Sequence, residues 1–250
     1  MTYPTLALTL IFVLLPLVLS KVLRLELEKD IVIATVRSII QLLFIGYILQ
    51  FVFDAESIVY ILLMIALMIA TATHNASKKG KAIRGVTWKI VATLLIVEAL
   101  TQGVLIGLRI IPPTAQYIIP ISGMIIGNSM VLSILFLNRF IAEVESRRDQ
   151  AELILSLGGT PKQAIHRQLL HAIKASMIPT IESQKTMGLV QLPGMMSGQI
   201  IAGADPIQAV QFQLLILFLL LTTASVTSIV LGFLSYPTLF NERMQLKSKI

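Results

Sequence analysis

The 250-residue sequence contains no cysteine and few charged residues. The absence of cysteine excludes a disulfide-bonded scaffold, thiolate metal sites and a cysteine nucleophile. Charged residues make up 13% of the chain, whereas roughly 25% is usual in soluble domains. Hydrophobic residues reach 56%. This composition excludes a disordered chain and an ordinary soluble enzyme, and it predicts a multi-pass protein of the cell membrane.

Long uncharged stretches separate the few charged residues. A bilayer core about 30 Å thick requires roughly 20 helical residues to cross it. We therefore predict an all-α fold, a single transmembrane domain over residues 1–250, with about seven helices that cross the lipid bilayer. The predicted spans are residues 3–20, 32–53, 57–74, 89–108, 117–138, 178–203 and 210–235.

The net charge of +7 follows from where the basic residues lie. If the N-terminus is outside, nearly all 20 basic residues fall in inner segments, whereas only Arg109 lies in an outer loop and Arg37 lies within a span. Cytoplasmic loops attract lysine and arginine in this way. The pattern predicts an N-terminus outside and a C-terminus inside, and it accounts for the charge without nucleic-acid binding.

The largest predicted cytoplasmic piece covers residues 139–176. Within it, Thr160–Gln163 has the pattern of a capping box, with Pro161 at the first helical position. This pattern predicts a short cytoplasmic helix that begins after Gly158–Gly159, and Pro179 marks the predicted return into the membrane. The helix is either an ordinary amphipathic loop helix or a docking helix that receives force from a soluble partner.

The sequence also lacks the phosphate-binding pattern G-x-x-x-x-G-K-[ST]. The chain is therefore not expected to hydrolyse ATP by that route. Any ATP-driven motor must belong to a separate subunit.

Glu98 lies near the middle of the fourth predicted span. An ionised carboxylate there costs several kcal/mol unless it is paired or hydrated. Arg37 is the predicted partner. The residues leave three interpretations open: a structural ion pair, a protonated Glu98, or a polar floor of a cation pathway to which Gln41 and Gln102 contribute.

The sixth predicted span carries polar and small residues at helical spacing. Gln184, Gly188, Gln191, Met195 and Gly198 follow one another at intervals of four and three residues, so a continuous helix would present them on one face. Pro193 is expected to interrupt that helix, and interrupted membrane helices are tolerated mainly where they are buried in protein or line a water-filled cavity. We therefore predict that this span lines a transport pathway.

These polar positions give two sets of candidate residues. Met195 and Met196 offer thioether sulfur as a metal ligand, which suits Cu(I) better than iron. Packing is the alternative role of these two methionines. The candidate transport-pathway residues are Arg37, Gln41, Glu98, Gln102, Asn128, Gln184, Gln191, Met195 and Gln199. The candidate metal ligands are Glu98, Met195 and Met196.

The segment Leu192–Gln199, which reads Leu-Pro-Gly-Met-Met-Ser-Gly-Gln, carries a family resemblance. Together with Gly203, Asp205–Pro206 and Gln211–Gln213 it resembles the signature of the FetB-type permeases of ABC transporters. The stretches Ile119–Met124 and Thr160–Ala164 are also similar to that family.

The resemblance implies an ABC exporter. Members of the family are membrane subunits that pair with a separate ATP-binding subunit; bacterial members are associated with iron export and plant relatives with aluminium tolerance, for which UDP-glucose has been proposed as cargo. The implied assembly is a permease homodimer with two ATPase subunits that exports iron or a related metal cation, with no cofactor in this chain and ATP and Mg in the partner. The implied coupling residues are Leu157, Gly158, Gly159, Thr160, Pro161, Gln163 and Arg167. A nucleotide-sugar exporter and a passive channel or scaffold without a motor are the alternatives.

Overall fold

The structure, a computed structural model, describes residues 9–55, 57–80 and 83–247. In these ranges the secondary structure is helical apart from two isolated β-bridges, which confirms the predicted all-α class. The helices are α1 Ile11–Leu23, α2 Glu28–Ala55, α3 Ile58–Ser77, α4 Val86–Gly107, α5 Ala115–Ser146, α6 Arg148–Ser156, α7 Pro161–Thr186, α8 Gly194–Ile201 and α9 Pro206–Ser235, followed by a 3-10 turn at Tyr236–Leu239.

The chain divides into two compact units, residues 1–57 and residues 58–250. In the first unit, Ser20 joins α1 to α2: its hydroxyl donates to Glu28 Oε1 at 2.9 Å and accepts from the Leu27 N–H at 3.1 Å. The most apolar window of α2 buries none of its residues. An apolar helix surface of this kind is suited to lipid. The prediction of a single domain stays a prediction.

The second unit is a helical bundle in which α5 packs on α3, α7 and α9. Its core contains the stacked rings of Phe136 and Phe140, with centroids 5.3 Å apart. Gly232 of α9 lies so close to α5 and α7 that a Cβ there would be 2.8 Å from a Leu169 methyl group and 3.2 Å from the Phe136 ring. Small residues allow helix backbones to approach in this way in membranes.

Five of the predicted spans coincide with described helices that are long and apolar enough to cross a membrane: α2, α3, α4, α5 and α9. The first predicted span begins outside the described residues, and its described part, α1, has 13 residues. The number of seven spans and their inside-outside orientation stay predictions.

The sixth predicted span differs from the expectation. Helix α7 runs without a break from Pro161 through Pro179 to Thr186, so the predicted return into the membrane is not a helix boundary. The chain then leaves the helix at Met187, earlier than the predicted interruption at Pro193. Pro193 instead precedes the first residue of α8.

Gly188 explains the early break. Its φ of 87° belongs to the left-handed region, and its N–H donates to the Gln191 carbonyl at 2.9 Å, which closes a turn. Gly188 and Gln191 therefore lie in a non-helical segment. The prediction that Gln184, Gly188, Gln191, Met195 and Gly198 share one helical face is wrong.

Candidate functional site

The discontinuous element α7–α8 lies beside the middle of α9. The Gln184 side-chain amide donates to the Leu217 carbonyl of α9 at 2.9 Å. Counting from Pro206, Leu217 is about 16 Å along α9 at 1.5 Å per residue. The break after Thr186 therefore lies between the two ends of a membrane-length helix. Discontinuous helices form substrate and ion sites in many transporters.

A groove runs along α5, α7 and α9 next to this break, and we name it the middle groove. Its volume is about 240 Å³. The Asn128 side chain crosses from α5 to α9, where it donates to Thr223 Oγ1 at 3.2 Å. The polar side chains that line the middle groove are Asn128, Thr180, Ser183 and Gln184. The structure thus brings together the predicted pathway residues Asn128 and Gln184.

A second groove, the outer groove, lies between α5, α8 and the first turns of α9. Its volume is about 430 Å³. Tyr117 and Phe212 face each other across it with ring centroids 6.1 Å apart. Its other notable lining residues are three amides and a thioether: Gln116, Gln199, Gln208 and Met195. The predicted residues Met195 and Gln199 therefore share a cavity.

Glu98 and Gln102 lie outside both groove linings and form, with Ser122 of α5, what we name the Glu98 cluster. The Ser122 hydroxyl donates to Glu98 Oε1, and Gln102 Nε2 donates to Ser122 Oγ at 2.9 Å. Glu98 is only 6% exposed and Gln102 9%. Glu98 Oε2 and Gln102 Oε1 have no hydrogen-bond partner within the described ranges.

The other predicted pathway residues are dispersed. Gln191 is exposed in the segment between α7 and α8. Arg37 and Gln41 lie on one face of α2, together with Val36 and Ile40, in the first unit. Arg37 and Glu98 belong to different units, and their pairing stays a prediction.

The proposed metal ligands do not form a cluster of strong donors. Over the described part of the chain, no group of three or more His, Cys, Asp or Glu side chains could hold a metal ion. Met195 packs against an apolar cluster that includes Ile121 and Ile125, and Met196 is partly buried on α8. Ligation by Glu98, Met195 or Met196 stays a prediction.

The predicted coupling turn is tightly built. At the end of α6, the Gly158 N–H donates to the Leu155 carbonyl at 3.0 Å and the Gly159 N–H to the Ile154 carbonyl at 2.9 Å. This is the bonding pattern of a Schellman motif, and Gly158 supplies its positive φ of 85°.

Helix α7 begins at once after this turn. The Thr160 hydroxyl accepts from the Gln163 N–H at 3.4 Å, and the Gln163 side chain accepts from the Thr160 N–H at 2.8 Å. The predicted capping box and helix start are confirmed. Helices α6 and α7 therefore meet in a well-defined corner.

The surface of this corner is open. Leu157 is 79% exposed, and Arg167 lies exposed one and a half turns into α7. A cleft of about 640 Å³ separates the corner, at Gly158 and Gly159, from the C-terminal tail, at Arg243–Leu246. Leu157 and Arg167 are thus available for a partner.

No sequence pattern indicates that the C-terminal tail forms part of this surface. Lys89 Nζ of α4 donates to Thr238 Oγ1 at 2.6 Å, and Lys247 Nζ donates to the Thr238 carbonyl at 2.7 Å. Arg148 of α6 donates to the Lys247 carbonyl at 2.8 Å. These contacts join residues up to 149 positions apart, which no local pattern reveals.

Sequence reasoning also missed Ser122, Gln116 and Gln208. Each is an uncharged polar residue within or at the start of a long apolar helix. Inspection of every polar position in the two charge-free spans would have found them.

Comparisons with known proteins agree with this architecture. The family described as "Uncharacterised protein family (UPF0014)" matches residues 3–240. The chain is 58% identical over 247 residues to "UPF0014 membrane protein YjkA" of Bacillus subtilis, with 99% of each chain covered. It is 40% identical to "Probable iron export permease protein FetB" of Escherichia coli, covering 98% of this chain and 95% of that one.

A plant relative is similar over most of its length. "Protein ALUMINUM SENSITIVE 3" of Arabidopsis thaliana is 34% identical, with 98% of this chain and 89% of the relative covered. No solved structure matches the chain. The match over nearly the whole length, together with the long apolar helices, leads to one conclusion. The chain belongs to the UPF0014 family of multi-pass membrane proteins.

Proposed function

We propose that the chain is the membrane-spanning permease subunit of an ATP-driven ABC exporter, and that its cargo is iron or a related metal cation. The observation that carries the proposal is the discontinuous element α7–α8, whose break lies at membrane depth beside the middle groove. Non-helical backbone is tolerated at that depth where it lines a cavity or is buried in protein. The names of the relatives, an iron export permease among them, support the same class of function.

In this proposal cargo moves along the face that α5 and α9 present to α7 and α8. The middle groove and the outer groove both lie on this face, because α5 and α9 contribute to each lining. The amide and hydroxyl oxygens of Asn128, Gln184 and Gln199 can replace part of the hydration shell of a cation. Movement of α8 relative to α7 about Gly188 would open one groove and close the other.

The corner between α6 and α7 is the proposed contact with a separate ATP-binding subunit, which would supply ATP and Mg. Leu157 offers an exposed apolar contact, and Arg167 offers an exposed positive charge. Because α7 continues from this corner to the break at Met187, a displacement of the corner can be transmitted along one rigid helix to the groove. We propose that two permease chains and two ATP-binding subunits form the transporter.

The coupling part of the proposal is tested by binding. A candidate ABC ATPase is co-expressed with the chain, and the double variant Leu157→Asp, Arg167→Glu is compared with Lys174→Glu. The control reverses a charge on the same helix two turns further on. We expect the double variant to lose the ATPase on purification while the control retains it. Equal retention by both would contradict the assignment of the corner.

The cargo is tested by transport in sealed vesicles that contain the permease and its ATPase. Labelled iron in each redox state and labelled UDP-glucose are measured side by side, with and without ATP. We expect ATP-dependent accumulation of iron and iron-stimulated ATP hydrolysis. No stimulation by iron in either redox state contradicts the iron cargo, and iron movement that is indifferent to ATP favours a passive channel.

The outer groove favours the nucleotide sugar as the second candidate. Three amides and two aromatic rings line it. Amides bond to hydroxyl groups, and aromatic rings pack against the faces of bases and sugars. ATP-dependent transport of UDP-glucose in the same vesicles would support this alternative.

A further inference from the structure

The Glu98 cluster contains a carboxylate that forms no ion pair with any described residue of the second unit. Glu98 lies about 18 Å from the first residue of α4 and about 14 Å from its last. Only one of its two carboxylate oxygens has a hydrogen bond among the described residues, from the Ser122 hydroxyl. A charged side chain at this depth is costly unless something compensates it.

The helices that pack on α4 are α3, α5 and α9. Helix α9 has no titratable side chain, and Glu98 Oε2 has no hydrogen-bond partner in the described structure. On α4 itself, the other charged residue is Lys89, which lies about 14 Å from Glu98 along the helix. Its Nζ donates to the Arg84 carbonyl and to Thr238 Oγ1. The titratable residues of α3 and α5 are Tyr60, His74, Tyr117, Arg139, Glu143 and Glu145.

Two unsatisfied acceptors remain in the cluster. They are Glu98 Oε2 and Gln102 Oε1, which belong to residues one helical turn apart that both bond to the same Ser122 hydroxyl. Buried acceptors without a donor are rare and costly. A metal ion would find few ligands here, because Ca²⁺ takes six to eight oxygens and Mg²⁺ requires octahedral geometry.

A proton removes the difficulty without additional volume. A protonated carboxyl group carries one O–H donor and no charge. The new donor can satisfy the neighbouring amide oxygen, and no ionised group is left inside the bundle. We infer that Glu98, Ser122 and Gln102 form a buried proton-binding site, in which Glu98 carries the proton and Ser122 and Gln102 hold its carboxyl group in place.

This assignment removes Glu98 from the candidate ligands of a metal cargo. It selects one of the interpretations of Glu98 that the sequence left open, and it separates the cluster from the grooves proposed for transport. Because Ser122 of α5 bonds to Glu98 of α4, the site lies at the contact between these two helices.

The test uses the purified full chain in lipid nanodiscs and dicyclohexylcarbodiimide. This apolar reagent adds to a protonated carboxyl group and rearranges to a stable N-acylurea, which mass spectrometry detects on the peptide. We expect labelling of Glu98 at neutral pH, a decline at higher pH, and no labelling in Glu98→Gln. Glu182, an exposed carboxylate that pairs with Lys185 at 2.7 Å, is the internal control and should stay unlabelled.

Three further variants, compared with Glu98→Gln, keep the result interpretable. Glu98→Gln should unfold at nearly the wild-type temperature, because a neutral amide can accept from Ser122 and donate to Gln102, whereas Glu98→Ala should unfold at a clearly lower temperature. Ser122→Ala and Gln102→Leu should shift the pH at which labelling declines.

Three outcomes would overturn the inference. The first is absence of labelling at Glu98 at neutral pH while the denatured chain is labelled at mildly acidic pH. The second is labelling that appears only in Arg37→Ala, which would identify Arg37 as the counter-charge. The third is protection by millimolar Na⁺ or Fe²⁺ at constant pH, which would make the cluster a metal-cation site.

Discussion

Gln184 of α7 donates its side-chain hydrogen bond to the Leu217 carbonyl of α9, two residues before α7 ends at Thr186. The bond connects the last turn of a helix that starts at the corner between α6 and α7 to the middle of a membrane-length helix. It fixes the height at which the chain leaves helical geometry. The position of the break is thus determined by a contact between helices as well as by Gly188.

Gln184→Leu should weaken this connection. The substitution removes one hydrogen bond in the middle groove, so we expect a loss of about 1 kcal/mol in the free energy of unfolding and a several-fold lower transport rate. Thermal unfolding of the purified chain and vesicle transport measure the two effects. Lys185→Gln is the control, because it alters an exposed ion pair next to Gln184 that contributes little to stability. Similar transport by both variants would show that the bond does not matter.

Gly159→Ala should destabilise the corner between α6 and α7, the proposed contact with the ATPase. An added Cβ would lie 2.8 Å from the Ile154 carbonyl oxygen, which is backbone and cannot move aside without opening the turn. We expect a cost of roughly 1–3 kcal/mol and weaker binding of the ATPase. Circular dichroism during thermal unfolding gives the stability, and co-purification gives the binding.

Gly103→Ala is the matched control for the corner. Gly103 lies inside α4 and a Cβ there would meet no atom within 4 Å, so alanine should be neutral or stabilise by up to about 1 kcal/mol. If Gly159→Ala were as stable as Gly103→Ala and bound the ATPase normally, the close geometry of the corner would be unnecessary. Gly158 is unsuitable for substitution, because any side chain there would be strained by its positive φ. The charge in the binding test is therefore introduced at Leu157.

Thr238→Val should loosen the C-terminal tail. The Thr238 hydroxyl accepts from the ammonium group of Lys89, a residue that is 8% exposed, and donates to the Ser235 carbonyl, and valine has the same shape without either bond. Leaving that ammonium with one partner fewer costs about 1–3 kcal/mol. We expect faster trypsin cleavage after Arg243 and Lys247, measured by mass spectrometry over a digestion time course.

Thr222→Val provides the comparison for the tail. Its hydroxyl bonds to the Phe218 carbonyl of its own helix and the residue is exposed, so tail cleavage should keep the wild-type rate. Unchanged cleavage in Thr238→Val would mean that the backbone contacts of Lys247 hold the tail without Lys89.

Local sequence patterns predicted local structure well. The capping box at Thr160–Gln163 announces the start of α7 because all of its hydrogen bonds join residues three positions apart. The long apolar helices were predicted equally well, since length and hydropathy are properties of a single segment. The break was predicted at Pro193 because proline is a recognisable helix-breaking residue. It lies after Thr186 because Gly188 adopts a left-handed conformation in a turn that no local pattern predicts.

The candidate site was only partly predictable for a related reason. Depth in the membrane identified Glu98, but its hydrogen-bond partner Ser122 lies 24 positions away on another helix. Regular spacing suggested that Gln191 and Met195 act together, yet spacing has this meaning only within a continuous helix. Packing between helices determines which polar side chains contact each other, and a single sequence contains little information about that packing.

Met195→Leu distinguishes packing from ligation in the outer groove. Met195 packs against an apolar cluster that includes Ile121 and Ile125, and leucine conserves most of its volume while it removes the sulfur. We therefore expect wild-type stability and a transport rate within a factor of two of the wild type. Gln199→Leu, one turn further along α8 in the same groove, should lower the rate more strongly because it removes an amide from the lining. Initial rates of labelled iron uptake into vesicles compare the two. A large loss in Met195→Leu with Gln199→Leu unaffected would instead identify the thioether as a ligand of the transported iron.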